Sequence, residues 1–282
     1  MSSDKGGHWY SRERTSVHEV PNKSKPGTMR PTTLRDARGL GLFPSVTTVI
    51  GILDRPQLTD WKLEQVAAAA FNTLVIPKLN YSTLEDWTKF ILDKAFEQVS
   101  DAADLGTSIH AAIEAWAQGK PYDDALKPYV DAVAKWCAAE EITFLSNEEI
   151  LVSEAHGFAG TADGAIRCKR GTGILDFKSR KTKLGVPATP YDTQPMQVAA
   201  YHAAKFKGFQ PDHIGVNLFI STTEKTEDGL ARVDATWYSC AELQAEWAAF
   251  EHVLSLWKHL KGYDASEPFL PAPAAKKPSA KK

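Results

Sequence analysis

Residues 173–182 read GILDFKSRKT. Side chains two apart on a strand share a face, so Asp176 and Lys178 point one way together with Ile174, and Leu175 and Phe177 point the other. The apolar surroundings place Asp176 in a partly buried position, where an unpaired carboxylate is costly. Just upstream, Arg170-Gly171-Thr172-Gly173 is a turn signal, which makes 160–178 a hairpin. The ends of a hairpin remote from its turn are brought together. Asp163, in the stretch GTADG, therefore approaches Asp176 with Lys178 beside it.

Two close carboxylates raise each other's pKa unless a cation neutralises them. Mg²⁺ does this with a few carboxylates, waters and phosphate oxygens. A neighbouring ammonium orients or helps deprotonate a water and stabilises charge on phosphate. That combination is the chemistry of metal-assisted phosphodiester hydrolysis. An acid–x–lysine triplet alone matches many strands and is usually a surface ion pair. The apolar context and the second acid set this one apart.

Outward from the hairpin, ITFL and EEILVSE read as strands, as do residues 213–221 and 230–238. Residues 58–78 are dense in strong helix formers. Residues 83–99 form a second amphipathic helix on Leu84, Trp87, Phe90, Ile91 and Phe96. Residues 104–118 form a third on Leu105, Ile109, Ala112, Ile113 and Trp116. Helices are also expected over 122–140, 191–207 and 240–261, the last with Leu243, Trp247, Phe250, Val253, Leu254 and Trp257 as its apolar face. Residues 1–40 read as a polar arm with a short strand within 8–20, and 263–282, rich in Pro, Ala and Lys, as a disordered tail. The fold class is α/β: a mixed central sheet flanked by helices, with a helical elaboration at 58–140 ahead of a core at 141–262.

The chain has 282 residues and a formal net charge of −2, four tail lysines included, so no global basic signature marks a nucleic-acid binder. Cys137, Cys168 and Cys240 are far apart and make neither a CxxC nor a metal cluster, which points to a reducing compartment. The N-terminus has no apolar run of a signal peptide, and no stretch approaches the ~20 apolar residues of a membrane span. The expectation is a cytoplasmic protein without membrane partners.

GFAGTADGAIRCKRGTGILDFKS resembles the central hairpin of the PD-(D/E)xK nuclease superfamily, in its RecB-like exonuclease branch. Upstream, LGTSIHAAIEAW resembles that branch's GxxxHxxxE helix. Downstream, QVAAY resembles its QxxxY helix, and FPSVTTVIG followed by LTDW resembles a segment of phage-type and mitochondrial genome-maintenance exonucleases. The resemblance spans roughly residues 41–221. It implies a restriction-endonuclease-like fold over 41–262. It also implies a Mg²⁺ site, with Mn²⁺ as substitute, held by His110, Asp163, Asp176 and the Phe177 carbonyl. Lys178 becomes the catalytic lysine beside Asp163 and Asp176, with Gln197 and Tyr201 bordering the site. The superfamily's proline is Ala162 here, and its second acid is Asp.

Read singly, these positions have plainer roles. A lone histidine on a helix flank is usually structural. Glu114, four residues from His110, either holds that histidine or is a surface acid. Glu154 fits a solvated strand edge, and Gln194 lacks the tyrosine that follows Gln197. Arg180, Lys181 and Lys183 follow the lysine strand and suit DNA phosphates, which local positive potential can bind on an acidic protein. The implied function is a Mg²⁺-dependent DNA exonuclease in phage or bacterial recombination, alongside a single-strand annealing protein. The alternatives are an endonuclease of the same fold and a non-catalytic nucleic-acid-binding partner in a recombination complex.

Overall fold

Alternating apolar and small residues over 158–180 pair as two antiparallel strands joined at Lys169–Arg170, and the sheet grows from that hairpin. The computed structural model describes residues 7–54, 56–74 and 83–269. Five strands, β5 (Thr143–Ser153), β6 (Phe158–Cys168), β7 (Gly171–Arg180), β8 (His213–Lys225) and β9 (Ala231–Tyr238), lie in that order across one sheet. All neighbours are antiparallel except β7 and β8. A parallel pair needs a long crossover, and helix α6 (Thr193–Phe206) supplies it.

Helices cover both faces. On one, α2 (Val46–Ile50), α6 and α7 (Cys240–Lys261) bury Val46, Val198, Leu243, Phe250 and Trp257 against Ile174. On the other, α4 (Leu84–Ala117) and α5 (Lys127–Ala139) bury Ile109, Ile113 and Val133 against Leu175 and Phe177. Each fully buried Leu or Ile contributes about 2 kcal/mol, so the apolar alternation of β7 ties both helical layers to the strand that carries Asp176 and Lys178.

Three boundaries differ from expectation. The helices expected at 83–99 and 104–118 are the single helix α4, because the intervening polar and alanine residues continue a helix as well as they end one. Helix α3 (Pro56–Leu74) packs along α4, and the expected stretch 75–78 lies outside the described residues. The polar arm is built into the core. Strand β1 (Trp9–Tyr10) pairs with β4 (Phe43–Pro44), β2 (Glu19–Pro21) pairs with β3 (Met29–Pro31), and α1 (Leu34–Leu40) follows. Trp9 is buried beside Trp257, an apolar anchor that the surrounding polar composition hides. At the other end, Ala265 is buried and Lys258 pairs with Asp264 at 2.8 Å, so the ordered chain runs past 263. Residues 270–282 lie outside the described residues.

Candidate functional site

Strands β6 and β7 pair from Cys168/Gly171 up to Gly164/Leu175 and then part. Where the ladder stops, side chains replace it: the Phe177 amide donates to Asp163 Oδ2 at 2.7 Å. A strand residue's N–H and C=O face the same edge, so the Phe177 carbonyl faces this gap too. β7 meanwhile stays paired with β8 through Arg180.

Asp176 is 1% exposed. Lys178 Nζ contacts its two oxygens at 2.8 and 2.6 Å, and Asn217 Nδ2 donates to Oδ2 at 2.7 Å. Asn217 is the β8 residue directly opposite Asp176, and its own Oδ1 accepts from the Tyr238 hydroxyl at 2.7 Å. Burial pushes the Asp176 carboxyl up, Lys178 opposes that, and Asp163 adds to it. The expected juxtaposition of Asp163, Asp176 and Lys178 is present, with an internal cation on the buried acid.

His110 enters from α4. A Cβ on Gly106, one turn earlier, would lie 2.7 Å from Ser179 Oγ, so helix and strand approach closely here and a larger residue would make the serine side chain turn away. The imidazole then stands edge-on to Phe177, with Nδ1 3.8 Å from Asp163 Oδ2. That is longer than a hydrogen bond. Glu114 accepts from Gln118 at 2.9 Å. From α6, Gln197 Nε2 donates to the buried Tyr201 hydroxyl at 3.3 Å. Desolvation raises the Tyr201 pKa, and the charges of Asp176 and Asp163 add to that. Gln194 instead accepts from Arg180. The Arg180 guanidinium is sandwiched between Tyr191 and Phe219, each 4.4 Å away, so it roots the loop, while Lys181 and Lys183 are exposed.

The sequence reading missed Glu148, Asn217, Tyr238 and Tyr10. Glu148 lies on β5 between the pairs Asn147/Gly164 and Glu149/Ala162, which sets it across from Asp163. Burial, then the charges of Asp163, Glu114 and Asp176, push its carboxyl up to about 7. Its φ of 45° is in the left-handed region that a glutamate seldom occupies. Counting register back from the turn at 154–157 is the signal that finds it. Tyr10 shares a hydrogen bond with Thr161 at 3.1 Å. Asn217 and Tyr238 depend on the β8 and β9 register, which no local pattern encodes.

Among the described residues, no three His, Cys, Asp or Glu side chains stand as a ready metal-holding group. The donors explain this: Lys178 covers Asp176, the Phe177 amide takes Asp163 Oδ2, and His110 stands back. The charge balance nevertheless fits a hard divalent cation. Glu148, Asp163 and Asp176 lie within electrostatic reach of one another, and Lys178 pairs with Asp176 alone of the three. Carboxylates with one imidazole and one carbonyl suit Mg²⁺ or Mn²⁺.

Comparison with known proteins adds little to this geometry. No family model matches the chain. No curated protein matches it either. Among solved structures, the chain is similar to one described as the crystal structure of SSO0001, at 11% identity and a TM-score of 0.30, over 71% of this chain and 86% of that one. No described helix is long and apolar enough to cross a membrane.

Proposed function

We propose that this chain is a Mg²⁺-dependent DNA exonuclease with a restriction-endonuclease-like core, acting in the cytoplasm in recombination or DNA processing beside a single-strand annealing protein. The observation that carries this reading is the gap between β6 and β7, where Asp163, buried Asp176 and Lys178 converge. Asp163, Asp176, His110 and the Phe177 carbonyl would hold the cation, with Glu148 at its border. A bound Mg²⁺ supplies Lewis-acid neutralisation of phosphate charge and a more acidic water.

The chain's own groups do the rest. Lys178, beside Asp176, would present its ammonium to the attacking water and the phosphate. Asn217, itself held by Tyr238, keeps Asp176 in one orientation. The Gln197–Tyr201 pair walls the α6 side of the site, and Lys181 and Lys183 hold the DNA backbone as diffuse phosphate contacts. The closed Lys178–Asp176 pair favours one rival, a scaffold that binds nucleic acid without cutting it.

The test is incubation with end-labelled linear DNA and with covalently closed circles, in Mg²⁺ or EDTA. Loss of linear DNA alone, in Mg²⁺ alone, supports the exonuclease. Cutting of circles replaces it with an endonuclease, and DNA binding without cleavage in either condition replaces it with the scaffold.

A further inference from the structure

Beyond β7 the chain makes a tight turn whose tip is apolar. Leu184 is 92% exposed and Val186 55%, directly after exposed Lys181 and Lys183. A single exposed leucine ordinarily means nothing, and turn tips favour Gly, Asn and Asp. This tip differs because the protein braces it on every side. The Val186 amide donates to the Lys183 carbonyl at 3.0 Å around Gly185, whose φ of 72° closes the turn. Arg232 of β9 donates to the carbonyls of Lys183 and Val186 at 3.3 and 2.7 Å, and is itself fixed by Glu224 and Asp234 at 2.8 and 2.9 Å. Thr182 bonds Ser221, Thr223 and Glu224, and the Ala188 amide donates to Asp234. Arg180, clamped between Tyr191 and Phe219, holds the root. Loops are ordinarily the soft parts of a fold. Here a partly buried charge network bonds Thr182, Lys183 and Val186.

The turn also has a defined place. Leu184 is six residues past Lys178, so its Cα lies within about 20 Å of the lysine's, about six nucleotides at 3.4 Å per step. Resting on the nuclease reading, we propose that the Lys181–Val186 turn is a rigid pin for duplex ends. Leu184 and Val186 wedge against the terminal base pair while Lys181 and Lys183 hold flanking phosphates. Apolar side chains inserted at a base step unstack it, and a pin must be stiff to pass its push to the DNA. The two lysines make nucleic acid the fitting occupant.

Two readouts test this in the full chain. In EDTA, a duplex carrying 2-aminopurine at its terminal pair should brighten when wild type binds, and should not when Leu184→Ser binds. Leu184→Met should restore the signal. In Mg²⁺, Leu184→Ser should lower the ratio of blunt-duplex to single-strand cleavage about tenfold. The side chain is exposed, so the variant's thermal stability should match wild type. No brightening with wild type, or equal brightening with Leu184→Ser, overturns the pin and points to a protein partner for this tip. Absence of cleavage by wild type overturns the nuclease reading instead, and the fluorescence readout, which needs no cleavage, still decides the pin.

Discussion

Tyr201 and His202 are consecutive on α6 and both buried, yet they belong to opposite kinds of interior. Tyr201 faces the acids at the sheet gap, where Asp176, Lys178, Asn217 and Tyr238 form a chain of paired polar groups. His202 sits in an aromatic corner with Phe206, Phe209 and His213, their ring centres 4.7–4.8 Å from its own, and neither of its nitrogens has a partner among the described residues. Burial and the nearby His213 push its pKa down to about 3. One region keeps charge indoors by pairing it, and the other keeps a titratable ring indoors by denying it a proton. A buried charge held by partners can be handed to a new cation, whereas a ring kept neutral contributes packing alone.

The sharpest way to break this contrast is to strip the charge of its partner. Lys178→Met leaves Asp176 buried and uncompensated, and should cost about 3–5 kcal/mol in denaturant unfolding in EDTA. Adding Asp176→Asn to that variant should recover most of the loss, since the two residues act as one unit. Asn217→Ala takes the Tyr238 hydroxyl's acceptor away and leaves Asp176 Oδ2 with Lys178 alone, for about 1–3 kcal/mol.

The aromatic corner should answer to pH. The folded pKa of His202 is depressed, so its contribution is present above the unfolded value of 6.5 and is lost as pH falls from there towards about 3. The slope attributable to it is at most about 1.4 kcal/mol per pH unit. His202→Phe should flatten that part of a stability–pH curve. An unchanged curve would mean that His202 finds a proton partner in solution.

The smallest effect belongs to Glu148, partly open to solvent. Its folded pKa is raised to about 7 from 4.5, so its contribution is lost as pH rises through that window. At pH 8 in EDTA, Glu148→Gln should melt slightly above wild type, and Mg²⁺ should narrow the difference.

The parts of the site written into local pattern were legible from the sequence. Strand alternation paired Asp176 with Lys178, and a hairpin brought Asp163 to them, although its turn is Lys169–Arg170 and the expected turn residues Gly171–Gly173 are paired in β7. Helical spacing put His110 at the flank of a buried stripe. What escaped depends on register between strands distant in the chain: Asn217 opposite Asp176, Tyr238 on β9, and Glu148 on a β5 residue with unusual backbone. Arg180 looked like a free cation because its aromatic clamp comes from Tyr191 and from Phe219 on another strand. The arm read as polar because few of its residues are large and apolar, yet among residues 7–40 Trp9, Tyr10, Thr32 and Ala37 are buried.

We propose that the gap between β6 and β7 hydrolyses DNA with a divalent metal that Asp163 and Asp176 would hold. The most direct measurement is the cleavage rate of linear duplex DNA in Mg²⁺ against EDTA, for wild type, Asp163→Asn and Lys178→Met at matched folded concentration. The account predicts Mg²⁺-dependent cleavage that falls about 10²–10³-fold in each variant. Cleavage that persists in EDTA, or that survives both substitutions, would contradict it.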